Sequence, residues 1–172
     1  MKTILKTILV NLIFFSGTNA FAQIAPGCGT VDIKFDVSTK DSQVMAAPDP
    51  GKALIYFLQD DTNFASHPRP TTRFGLDGKW IGATHANSYF YLSVDPGEHH
   101  LCANWQSIVG LGIGMRTAAA HFTAGVGGVY FFVAHDRYSR ETPAEIKLLP
   151  MDSDEAQLFM RTFALATSHP KK

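Results

Sequence analysis

Neither sign of charge is in excess in this 172-residue sequence: 15 basic residues stand against 15 acidic ones. A nucleic-acid partner needs a basic face, so the balance excludes that class. Long apolar runs are also missing. The most hydrophobic stretch, Ile8 to Phe15, is interrupted by Asn11 and falls well short of the roughly 20 residues of a spanning helix. No G-x-S-x-G nucleophile elbow is present, and no internal repeat or low-complexity tract is evident. The glycines at 110, 112 and 114 are not followed by the helix that a phosphate loop requires, and they read as a flexible connection.

What the first residues do carry is an export pattern. Lys2 and Lys6 form a positive start, the apolar run follows, and Ala20-Phe21-Ala22 matches a cleavage site. The expectation is a signal peptide over 1–22 and one secreted or periplasmic domain over 23–172, with no transmembrane segment once the signal is cut. Cleavage leaves 13 basic and 15 acidic residues, a net charge of −2. Cysteine is scarce, with only Cys28 and Cys102, and both lie in the mature part. An exported chain with an even count oxidises such pairs, so a Cys28–Cys102 disulfide is expected, with buried free thiols as the competing reading. A lipid anchor on Cys28 is disfavoured because the preceding Ala25-Pro26-Gly27 lacks a Leu-type residue.

Between these features the chain reads as strands and turns. Val31, Ile33, Phe35 and Val37 alternate with Asp32, Lys34 and Asp36, the period of a half-buried strand. Lys52 to Gln59 is almost wholly apolar, as in a strand covered on both faces. Asp77-Gly78 supplies the positive φ angles of a type I′ hairpin, pairing Leu76 with Lys79 and Phe74 with Ile81. Pro96-Gly97 suits a type II turn, which either sets Leu92 opposite Leu101 and Tyr91 opposite Cys102 or passes the chain from one sheet to another. Further extended runs cover Val129 to His135 and Ala144 to Pro150. From Asp152 the period changes, with Ala156, Phe159, Met160 and Phe163 at helical spacing behind an Asp152/Glu155 capping box. The fold class expected is mainly β: an antiparallel sandwich of about seven or eight strands with one C-terminal helix at about 152–167.

Chemistry is thinly marked. His99 and His100 are consecutive, so in a strand they face opposite ways and do not share a ligand. His100, His121 and His135 are the metal candidates, but no pair has a recognised ligand spacing and no metal or other cofactor is implied. His135-Asp136 ends an apolar strand, where a His-dependent hydrolase would place a catalytic pair, yet a lone pair is not specific. Asp60-Asp61 reads as part of a loop. If Phe90, Leu92 and Val94 face the core, Tyr89 and Tyr91 lie on the other face, where Trp80 or Trp105 would join them as a recognition patch for a sugar or protein.

The run TRFGLDGKWIGATHANSYFYLSVDPGEHHLCANWQS, followed by HFTAGVGGVYFFVAHD, resembles a bacterial exported family, domain of unknown function 2846. The opening strand GKALIYFLQ, the Asp-Gly hairpin and the PGEH turn carry the resemblance, which spans about 52–134. It implies a small secreted sandwich similar to PEGA and transthyretin-like modules, with no catalytic residues to transfer. The functional expectation is a non-enzymatic binding or structural module of the cell envelope, with an envelope protein or glycan as partner. Carbohydrate or peptidoglycan binding through exposed aromatics is the alternative, and a hydrolase or metal-binding protein a further one.

Overall fold

The computed structural model describes residues 27–30, 32–65, 67–106 and 116–172. The expected signal peptide and the glycine-rich connection at 110–114 lie outside these residues. Ten strands and one helix follow in order: β1 (Phe35–Lys40), β2 (Ala53–Asp60), β3 (Thr71–Leu76), β4 (Lys79–His85), β5 (Ser88–Val94), β6 (Gly97–Trp105), β7 (Thr117–Ala124), β8 (Val129–Arg137), β9 (Glu145–Met151), α1 (Ser153–Met160) and β10 (Ala164–Pro170). They form a six-stranded sheet, β1-β10-β5-β2-β8-β9, and a four-stranded sheet, β4-β3-β6-β7. Most neighbours are antiparallel, but β2 runs parallel to β8 and β10 parallel to β5.

Burial follows from the alternation of each strand. Ile55, Phe57 and Phe132 face Phe74, Leu101 and Trp105 in a core between the sheets, where Phe57 packs within 5.1 Å of Phe74 and 5.2 Å of Phe90, centroid to centroid. Leu54, Tyr56, Leu58 and Val133 point to the other side of the six-stranded sheet and pack with Ala156, Met160 and Phe163 in a second core. Every residue of β2 is buried because both its faces are covered.

Several expectations need correction. Strand count rises from seven or eight to ten, and the helix stops at Met160 rather than near 167. Ala164–Pro170 instead fills the slot between β1 and β5, pairing with β1 over six residues, so that neither strand leaves an open edge there. Asp152 is the N-cap as expected, but its carboxylate accepts from the Asp154 amide at 2.8 Å rather than from that of Glu155, as a capping box would have it. Asp152→Ala is therefore expected to lower stability by about 1 kcal/mol in a denaturant titration.

The first strand begins at Phe35, four residues later than the alternation suggests, and its ladder among the described residues is with β10. Ile33 is 40% exposed, and its carbonyl accepts from Arg73. Asp77 and Gly78 take φ of 49° and 80°, as a type I′ turn requires. Leu76 opposes Lys79 as expected, but a bulge at Phe74/Gly75 sets Phe74 opposite Gly82 instead of Ile81. At Pro96-Gly97 the chain changes sheets: Leu92 pairs with Ile55 in one sheet and Leu101 with Leu76 in the other, so the local hairpin does not form. Gly97, at φ 140°, makes that corner in a conformation L residues rarely adopt.

Candidate functional site

Parallel pairing of β2 and β8 brings together two strand ends that are far apart in sequence. Gln59 lies beside Ala134 and Asp60 beside His135. Since successive side chains alternate, Gln59 and Asp136 turn into the space between the sheets while Asp60 and His135 turn outward. One strand-end crossing thus makes two polar groups, one on each side of the sheet.

The inner group centres on Asp136, which is fully buried. Its Oδ2 accepts from Gln59 Nε2 and from Thr72 Oγ1, both at 2.8 Å, and its Oδ1 accepts from Trp105 Nε1 at 2.8 Å. Gln59 is fixed in turn, donating to the Pro70 carbonyl at 3.0 Å and accepting from Thr84 Oγ1 at 2.7 Å. Burial pushes the Asp136 carboxyl up to about 7, while the three donors favour its ionised form.

In the outer group, Asp60 Oδ2 meets His135 Nδ1 at 2.9 Å, and Asp60 Oδ1 accepts from the Thr62 amide at 3.0 Å. The His135 hydrogen bond holds the Asp60 carboxyl down at about 2, against the opposing effect of burial. Asp61 is buried beside them and paired with Arg69, and desolvation raises its carboxyl. Among the described residues, the one hydrogen bond to the His135 ring is that with Asp60.

The residues singled out in the sequence are dispersed. Cys28 and Cys102 are joined as a disulfide, tying the segment from Gly27 onto β6. That segment lies close on the four-stranded sheet: a Cβ on Gly27 would come within 2.5 Å of the Leu101 backbone, so only glycine fits. Tyr89 and Trp105 are fully buried, and the expected aromatic patch does not form. Tyr89 and Tyr91 do face away from the core shared with Phe90, but residues 42–46 and α1 cover that side. Tyr89 donates to the Ser42 carbonyl at 3.1 Å and accepts from the Val44 amide at 2.9 Å, and the half-buried Tyr91 packs on Tyr56 at 5.3 Å. Trp80 is half-buried under the Arg73 guanidinium, 4.1 Å from its ring centroid, and donates to the Thr30 carbonyl at 2.6 Å. His100 and His121 face each other across β6 and β7, whereas His135 sits in the other sheet with Asp60.

His99 is an anchor of the corner. Its Nδ1 meets Asp77 Oδ2 and its Nε2 the Asp95 carbonyl, both at 2.7 Å. Both partners accept, so both ring nitrogens donate, which is the charged imidazolium. Burial alone would lower its pKa, but these two hydrogen bonds outweigh it and raise it. Asp77 is likewise lowered despite burial, by the His100 amide and His99.

A pH dependence follows from these groups. The Asp136 carboxyl is raised from 3.8 to about 7, so folding takes up a proton between those values and its contribution falls as pH rises across them. His99 contributes fully below 6.5 and loses that contribution as pH rises through its raised value. Asp60, lowered to about 2, contributes fully above 3.8 and loses that as pH falls. The thermal midpoint is expected to rise from about pH 8 to about pH 5 and to fall below about pH 4.

The fold and the cluster together define a class: a disulfide-bonded, mainly β domain of two facing sheets with a polar group sealed at one end of its core. The chain belongs to the family described as "Protein of unknown function (DUF2846)", whose model matches residues 49–146, more than half of it. Gln59, Asp60, Thr72, Trp105, His135 and Asp136 all fall inside the match, while Cys28, β1, α1 and β10 fall outside. Comparison with curated proteins and with solved structures finds no match.

Proposed function

We propose that this chain is a non-catalytic exported domain of the cell envelope, serving as a binding or structural module for an envelope protein or glycan. The observation that carries the reading is that two of its most perturbed titratable groups, Asp136 and His99, are taken up by the fold itself. Asp136 is sealed between the sheets by three donors, and His99 is held at both nitrogens. The disulfide supports an oxidising compartment. No helix among the described residues is long and apolar enough to cross a membrane. A sandwich similar to PEGA and transthyretin-like modules accords with two facing sheets.

Crosslinking in intact cells followed by mass spectrometry tests this. A recurrent envelope protein or cell-wall glycan attached to the chain is the expected result. A hydrolase activity lost in His135→Ala or Asp136→Asn variants that remain folded would overturn it.

A further inference from the structure

The outer face of the four-stranded sheet carries a second pair of groups, independent of the envelope reading. Leu101, Ala103, Ala120 and Phe122 point into the core, so His100 on β6 and His121 on β7 point out. They are direct partners in the antiparallel register. The His100 carbonyl accepts from the Asp77 amide at 2.9 Å and its amide donates to Asp77 Oδ1 at 2.8 Å, so its peptide groups turn away from β7. His100 and His121 therefore form a non-hydrogen-bonded pair, the type whose Cα atoms lie closest, at about 4.5 Å. Their ring centroids are 6.5 Å apart, at the rim of an open depression of about 270 Å³.

These two rings differ from His85, His99 and His135. His99 and His135 are bonded to carboxylates and His85 to Thr71 Oγ1, whereas no described residue hydrogen-bonds to a ring nitrogen of His100 or His121. Turning either ring toward the other breaks no hydrogen bond to a described residue. The backbone beneath is held by the Cys28–Cys102 disulfide two residues along β6, so the paired Cα positions are fixed before any ligand arrives.

We propose that His100 and His121 form a two-imidazole site for a divalent late transition metal, with water completing the coordination. Nitrogen donors of this type favour Cu²⁺ over Ni²⁺ and Zn²⁺ by the usual affinity order. Each imidazole ligates in its neutral form and no thiolate is required, which suits a compartment that oxidises cysteine.

The test is a Cu²⁺ titration of the untagged, metal-stripped, disulfide-bonded protein, followed by calorimetry and by electron paramagnetic resonance. One equivalent bound with two imidazole nitrogens in the spectrum is the expected result. Loss of an outer-shell partner alone costs about 10–100-fold in metal affinity, so His121→Ala and His100→Ala are each expected to weaken binding more than about tenfold. His169→Ala serves as the unchanged control. His121 is exposed on an edge strand, and His121→Asn provides a second variant if circular dichroism shows the alanine form misfolded. Absence of binding, or binding unchanged in a folded His121 variant, would overturn the assignment.

Discussion

Replacement of Asp136 by alanine is expected to lower the unfolding free energy at neutral pH by about 3–5 kcal/mol, measured by urea denaturation. Three donors, from Gln59, Thr72 and Trp105, would lose their acceptor in a site that water does not reach. Trp105 Nε1 has no acceptor besides this carboxylate among the described residues, and the Gln59 amide is pinned by Pro70 and Thr84. Neither can turn to a new partner. The variant is also expected to lose the part of the pH response between about 4 and 7 that this carboxyl supplies. A loss below about 1 kcal/mol would mean that the network relaxes around the gap and does not organise this end of the core.

Removal of the disulfide is expected to cost a similar amount. The bridge closes a loop with a sequence separation of 74, for which the chain-entropy account gives about 4–5 kcal/mol. A Cys28→Ser, Cys102→Ala double variant reads this as a lower urea midpoint with a steeper slope, since its unfolded chain is no longer cross-linked and exposes more surface. The native consequence is local as well. Without the bridge, the segment from Gly27 retains the Trp80–Thr30 and Arg73–Ile33 hydrogen bonds but no covalent hold on β6, and amide exchange there is expected to accelerate.

The parts of this fold readable from sequence are those that local chemistry decides. Asp77-Gly78 dictates its turn by φ alone, the apolar run of β2 announces burial on both faces, and Asp152 marks the helix start. The unreadable parts depend on what lies next to a strand. The helical period of Ala156, Phe159, Met160 and Phe163 suggests a helix running on to about 167, and pairing with the edges of β1 and β5 makes Ala164–Pro170 a strand instead. SYFYLSV and HHLCANW look like the arms of one hairpin, yet each pairs elsewhere, β2 with the first and β3 and β7 with the second.

The same holds for the polar cluster. Gln59 and Asp136 are 77 residues apart, and nothing near either one names the other. A signal was nevertheless present: each is a polar residue ending an otherwise apolar strand, where a buried side chain must find a partner. Tyr89 and Tyr91 show the converse. Their alternation was legible, but the segment and helix that cover their face belong to other parts of the chain.

The central claim, that this is an exported domain stapled by its own cysteines, is tested most directly by intact mass and thiol labelling of the protein recovered from fractionated native cells. The account predicts a chain in the exported fraction that begins at Gln23 and whose Cys28 and Cys102 take up alkylating reagent only after reduction. A full-length chain in the cytoplasm with both thiols free to react would contradict it.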